Sequence, residues 1–189
     1  MSKKVVILVG SLRKESIARK IAKICQSFFS EDFDPEILEI RDLPLYNADY
    51  DNPDETDFPL PEVYKSFRQS IKDASGVLFV TPENNRTIPA CLKNAVDVGS
   101  KPNGDVAWTN TPVAIISHSV GAMGGYSSQK NLRLALSYFT MPTIQQPEVF
   151  LGHSNQLVGD GQFTKESTTE FVSNYIKKFE ALIEKNPKA

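Results

Sequence analysis

The chain has 189 residues, 40% of them hydrophobic and 23% charged, the balance of an ordinary soluble globular protein with enough apolar material for one core. Its 21 basic and 23 acidic side chains leave a formal charge of −2, without the basic field that a nucleic acid or an anionic membrane surface would select. Two cysteines, Cys25 and Cys91, stand in apolar, helix-like segments without metal-ligand spacing and are expected to be buried, reduced thiols.

The first element is Val5 to Val9, an unbroken valine-rich apolar run that reads as a strand buried on both faces. It is too short for a signal sequence, and no stretch approaches the roughly 20 apolar residues of a membrane span, so a cytoplasmic location is expected. From Glu15 onward Ile17, Ile21, Ile24, Cys25 and Phe28 fall on one face of a helix. Ile37 to Ile40 is a second, weaker strand. Pro44 to Pro61 reads as a long loop rich in Pro, Asp and Asn, a length that suggests a functional or partner-contacting segment.

Val63, Phe67, Ile71 and Ala74 mark the next helix, and Val77 to Val80 the third strand. Ile88 to Gly99 is helical, with Pro89 in its first turn. Val113 to Ile116 is a fourth buried strand, and Leu132, Ala135, Leu136 and Phe139 mark the helix after it. Glu148 to Leu151 is a fifth strand. The last helix starts near Thr164, with Ser167 and Glu170 at capping-box spacing and Phe171, Tyr175, Phe179, Leu182 and Ile183 on one face. Strands alternating with helices imply a parallel sheet covered on both sides, without a second domain.

In such folds ligands bind beyond the carboxyl ends of the strands. The first strand runs into Gly10-Ser11-Leu12-Arg13-Lys14-Glu15-Ser16. Hydroxyls and a guanidinium before a helix N-terminus suit a phosphate. Taken alone, the same residues fit a capping serine and a solvated arginine equally well. The loop is neither a nucleotide-triphosphate P-loop nor a dinucleotide-binding glycine fingerprint. The third strand runs into Thr81-Pro82-Glu83-Asn84-Asn85-Arg86-Thr87-Ile88-Pro89, a polar loop stiffened by two prolines. The fourth runs into Ser117-His118-Ser119-Val120-Gly121-Ala122-Met123-Gly124-Gly125, whose glycines let backbone approach a flat ligand. Together the loops describe a phosphate pocket with two backbone walls.

In order, GSLRKES, TPENNRTIPACLKNAVD and SHSVGAMGGYSSQKNLR resemble the three motifs of the NADPH-dependent FMN reductase family, and the resemblance runs from Val5 to Leu151. It implies a flavodoxin-like three-layer sandwich over residues 1–189, a single domain whose five-stranded parallel sheet has the order 2-1-3-4-5. It implies bound FMN, NADPH or NADH as electron donor, and a small electrophilic acceptor such as a quinone, azo compound, free flavin or metal oxyanion. A homodimer or homotetramer is implied as well. Ser11, Arg13 and Ser16 would hold the phosphate, with Ile17 and Ala18 in the turn that follows. Pro82, Glu83, Asn84, Asn85 and Arg86, then Ser117 and Gly121 to Gly124, would hold the ring. Glu83 would act mainly through its backbone, and no catalytic side chain is required.

The chain departs from the motifs at Ala18, where asparagine is usual, at Asn84 (an aromatic), at Arg86 (glycine) and at Val98 (tryptophan). Arg86 is expected either to raise the flavin potential or to pair with an acidic or phosphate-bearing ligand such as NADPH. His118 is expected to be structural or solvent-facing, and His153 to lie in a polar loop. Two rivals remain: an electron carrier, which would be expected to be strongly acidic, and a redox-responsive interaction protein.

Overall fold

A computed structural model describes residues 2–188. Five parallel strands run in the order β2-β1-β3-β4-β5: β1 Lys3–Val9, β2 Phe33–Leu38, β3 Gly76–Pro82, β4 Val113–His118 and β5 Val149–Leu151. The flavodoxin-like order matches the expectation. On the central strands successive side chains go to opposite faces, and both faces are apolar. Val5, Ile7, Val9, Leu78, Val80, Ala114 and Ile116 pack under helices α1 (Ile17–Gln26) and α6 (Glu166–Lys185). Val6, Leu8, Val77, Phe79, Val113 and Ile115 pack under α2 (Glu62–Asp73), α3 (Ala90–Gly99) and α4 (Tyr126–Leu136). Burial on both sides explains why these strands read as continuous apolar runs.

The second strand is Phe33–Leu38, not Ile37 to Ile40. It pairs only with β1, Val5 opposite Pro35, and half of it faces solvent. Asp34, Pro35 and Glu36 are tolerated because an edge strand need not donate outward. At the other edge β5 is three residues long and meets β4 only from Ile116 onward. The hydroxyl of Tyr175 in α6 takes its place at Ile115, accepting from the N–H (2.9 Å) and donating to the carbonyl (3.1 Å).

Ser167 and Glu170 lie inside α6, which follows Lys165 and has no side-chain cap, so the capping box does not form. The α6 face is Val172, Tyr175, Ile176, Phe179 and Ile183, while Phe171 is exposed. Pro89 precedes α3 as its N-cap. A short helix α5 (Ser154–Leu157) and the hairpin of β6 (Val158–Gly159) and β7 (Gln162–Phe163) were not predicted; they are too short to show a period. The Trp108 ring fills the space beside Gly99, and its Nε1 donates to Val96 O at 2.9 Å. Among the described residues no helix is long and apolar enough to cross a membrane.

The long loop is pinned at several points. Asn94 accepts the Tyr46 N–H (2.8 Å) and donates to the Pro44 carbonyl (2.8 Å). Arg68 grips Asp51 with two bonds of 2.7 Å and donates a third, at 2.8 Å, to Val98 O. Tyr64 packs against both Tyr46 and Tyr50. The loop therefore carries fixed backbone, with Leu45 left 80% exposed.

Candidate functional site

The connections after β1 and β3 leave the sheet on opposite faces, so a crevice opens beyond the ends of these neighbouring strands. A cavity of about 690 Å3 lies there, walled by the three loops of the sequence motifs and the start of α3.

The first wall is residues 10–18. The Gly10 N–H donates to Val80 O at 2.9 Å, ending the β1–β3 ladder. Ser16 is the N-cap of α1; its Oγ accepts from the Arg19 N–H at 3.1 Å. The amides of Ile17 and Ala18, the first two of the helix, have no acceptor within it. Both residues line the cavity, as do Ser11, Arg13 and Ser16. The first turn of α1 has no acidic residue to offset its partial positive charge. Arg41, which the motifs do not include, steadies this wall by donating from Nη2 to Leu12 O at 3.0 Å.

The second wall is Pro82, Glu83 and Asn84, facing Pro89, Ala90 and Cys91. Glu83 does more than present its backbone. Its Oε2 accepts the N–H groups of Ser127 (3.0 Å) and Ser128 (3.3 Å) and so caps α4. Asn85 and Arg86 fall outside the cavity wall: Asn85 borders an adjoining cleft, and Arg86 is exposed.

The third wall is His118, Ser119 and Val120. Ser117 is fully buried behind it, donating to Gly124 O at 2.9 Å and accepting from Gln129 Nε2 at 3.2 Å. Gly121 and Gly124 do not line the cavity. Gly124 has φ +61°, and a Cβ there would lie 2.6 Å from the Phe150 carbonyl carbon, so it packs the loop onto β5. The motif glycines thus shape the wall, and the residues before them form it. Position just after a buried strand was the signal that could have selected Ser119 and Val120.

His118 is buried and lines the cavity; its Nδ1 lies 3.0 Å from Ser154 Oγ. Burial pushes its pKa down to about 4, so the ring is neutral at physiological pH. His153 starts α5 with φ 49°. Cys25 is buried in the core, its pKa pushed up to about 12, as expected. Cys91 is only half-buried and stands in the cavity wall, with burial raising its pKa; both thiols stay protonated.

The cavity is polarised. One end offers free amides, hydroxyls and Arg13, a donor set without a carboxylate, which suits a phosphate. The other end is Pro82, Pro89, Ala90, Cys91 and Val120, which suits an uncharged planar group. A phosphorylated flat cofactor of the FMN type fits both. Among the described residues no cluster of His, Cys, Asp or Glu could hold a metal ion.

The sequence profile described as NADPH-dependent FMN reductase matches residues 3–156. A quinone reductase of Pseudomonas putida is 42% identical over 182 residues, covering 96% of this chain and 95% of its own. A 2-hydroxy-1,4-benzoquinone reductase of a Burkholderia species is 38% identical, with 97% of each chain covered. The solved structure of FerB, a flavoenzyme NAD(P)H:(acceptor) oxidoreductase from Paracoccus denitrificans, superposes with a TM-score of 0.86 at 32% identity, covering 97% of this chain and 98% of its own.

Proposed function

Because the chain belongs to the NADPH-dependent FMN reductase family, we infer that it is an FMN-dependent NAD(P)H oxidoreductase that passes reducing equivalents to a small electrophilic acceptor, a quinone above all. The observation that carries this reading is the polarised cavity at the sheet crevice, an anion cradle at one end and a mostly apolar wall at the other, whose one carboxylate, Glu83, is taken up by the Ser127 and Ser128 amides.

Bound there, FMN would supply the two-electron chemistry between nicotinamide and acceptor. The chain supplies position. The Ile17 and Ala18 amides, Ser11, Arg13 and Ser16 would hold the phosphate. Pro82, Glu83, Asn84 and the His118–Val120 segment would border the ring. Asn85, Arg86, Ser117, Gly121 and Gly124 would act from outside this wall, through turn geometry and packing. Glu83 is committed to α4 and is not a general base; neutral His118 donates or accepts a hydrogen bond without carrying charge. The wall's apolar residues keep water from the reacting face, and its open side admits donor and acceptor.

The charge balance of −2 favours an enzyme over an acidic electron carrier. The whole chain acts as one FMN-binding domain. The unpaired thiols of Cys25 and Cys91 support a reducing compartment, the cytoplasm. Exposed Leu134 and Tyr138 on and just after α4, with Leu45 and Phe58 of the long loop, support assembly as a homodimer or homotetramer. Light scattering at micromolar concentration tests this, and a monomer mass overturns it.

The function is tested by anaerobic mixing of the FMN-loaded protein with NADPH or NADH and then with a quinone. The flavin absorbance should bleach and then recover as the quinone is consumed. A flavin that neither nicotinamide bleaches would overturn the assignment. Arg13→Ala should weaken FMN binding by about tenfold, a charge-assisted contact discounted for exposure. Unchanged affinity by fluorescence titration would remove Arg13 from the phosphate site.

A further inference from the structure

β1 and β2 run side by side as far as Leu8 opposite Leu38, so the residues that follow the two strands meet beyond the end of the sheet. After β1 comes the first wall of the cavity. After β2 come Glu39, Ile40 and Arg41. Ile40 is 5% exposed and packs in the core under α2 and α3; Leu43, whose N–H donates to Ile40 O at 3.4 Å, is buried with it. The segment therefore has a fixed root, and Glu39 and Arg41, on either side of Ile40, both reach the first wall.

That wall needs outside support, because its own bonds are few and long. The Ser16 N–H donates to Arg13 O at 3.3 Å, and the Arg13 N–H to Ser11 Oγ at 3.4 Å. Arg41 takes the middle of the loop through its 3.0 Å bond to Leu12 O. Glu39 takes the far end through Arg19, whose two terminal nitrogens donate to its carboxylate at 2.7 and 2.8 Å. The backbone N–H of the same Arg19 is the one that Ser16 Oγ caps. The Arg19 hydrogen bond holds the Glu39 carboxyl below its ordinary pKa range, and the charges of Arg19 and Arg41 add to the effect, so Glu39 is ionised.

The loop has two sides. Leu12, Arg13 and Ser16 line the cofactor cavity. Lys14 and Glu15 line a charged cleft of about 370 Å3, to which Arg19, Glu39 and Arg41 also belong. Glu39 and Arg41 do not line the cofactor cavity. In a trans peptide the carbonyl and the following N–H point in opposite directions. Holding Leu12 O on Arg41 therefore turns the Arg13 N–H away from the charged cleft, to the side where Ser11 lines the cavity. A Leu12 carbonyl left free could turn the other way and oppose an anion.

We propose that Glu39 and Arg41 are positioning residues that brace the phosphate loop in its anion-binding shape, Arg41 through the Leu12 carbonyl and Glu39 through Arg19 at the start of α1. The inference rests on the reading of the first wall as the phosphate end of an FMN site. Donors held in place before the ligand arrives lower the ordering cost of binding.

The test is fluorescence titration of the apoprotein with FMN and with riboflavin, which lacks the phosphate, for wild type, Arg41→Gln, Arg41→Lys and Glu39→Ala. Both side chains are exposed, so the variants should fold. The ratio of FMN to riboflavin affinity reads the phosphate end alone. It should fall about threefold to tenfold in Arg41→Gln, with much of it restored in Arg41→Lys. Glu39→Ala separates bracing from charge. Removing a carboxylate near the phosphate would, by charge alone, tighten FMN binding; loss of the brace should instead lower the ratio by about threefold. An unchanged ratio in Arg41→Gln or Glu39→Ala overturns the proposal for that residue. Tighter FMN binding by Glu39→Ala overturns it for Glu39. An equal loss for FMN and riboflavin also overturns it, because the residues then support the fold and not the phosphate end. A wild type that binds FMN no tighter than riboflavin overturns the phosphate reading itself, and the proposal with it.

Discussion

Ser16→Ala separates a helix cap from a phosphate contact. The Ser16 Oγ accepts the Arg19 N–H at 3.1 Å and the residue is 4% exposed, so water cannot readily replace the lost cap. Removing it should cost about 1 kcal/mol of apoprotein stability, within the range for capping serines. For a chain of this size that lowers the melting temperature by about 2–4 °C. The Ser16 hydroxyl also has a proton of its own, which has no acceptor among the described residues. If it donates to the FMN phosphate, its loss removes a charge-assisted bond worth about 1.5–3 kcal/mol, a weakening of about ten- to hundredfold. Thermal denaturation of the apoprotein reads the first effect and fluorescence titration with FMN reads the second. With FMN in excess, each tenfold loss of affinity should remove about 1.4 kcal/mol of ligand-induced stabilisation. Ser16→Asp sharpens the comparison: it keeps a capping oxygen but sets a negative charge against the phosphate, so apoprotein stability should hold while FMN binding falls further. If the apoprotein melts lower but FMN binds Ser16→Ala with unchanged affinity, the phosphate does not sit at the start of α1.

Asp51→Ala leaves the Arg68 guanidinium buried without its carboxylate and should destabilise the protein by about 3–5 kcal/mol. Urea denaturation checks this, and a loss under 1 kcal/mol would mean that the 44–61 loop is held by Asn94 and its aromatic contacts without help from the ion pair. Burial pushes the His118 pKa down to about 4, below the ordinary histidine value of about 6.5, so below pH 6.5 the unfolded chain takes up a proton that the folded chain refuses. Stability should therefore fall as pH drops from 6.5 towards 4, by about 2–3 kcal/mol from this residue. His118→Gln should flatten that part of the stability–pH curve, and an unaltered curve would show that the ring is not held neutral. Glu83→Ala removes the acceptor of the Ser127 and Ser128 amides and should lower the melting temperature by about 2–6 °C, with weaker FMN binding because the same loop borders the cavity. A full melting temperature would show that α4 is capped by water instead.

The central strands were legible because both their faces are buried: an apolar run such as Val5 to Val9 has no other stable place than the middle of a covered parallel sheet. The edges were less so. Phe33–Leu38 carries Asp34, Pro35 and Glu36, which an exposed edge accepts and a periodicity argument discounts. The order of the three binding loops, and hence the kind of ligand, followed from the residues that succeed each strand. Which residues of those loops face the cavity did not, since it depends on how one loop packs on another. Ser117 turns inward because Gln129 and Gly124 O satisfy its hydroxyl, and Gly124 is consumed by its contact with β5. His118, Ser119 and Val120 are left to form the wall, and Cys91 joins it from α3. Glu83 shows the same division: its place beside the cavity is local, but its capping of α4 joins residues 44 and 45 positions apart. Local sequence sets strand, turn and helix start through short-range sterics and hydrogen bonding. The direction a side chain finally takes is decided by partners distant in the chain, which only the packed structure brings within reach.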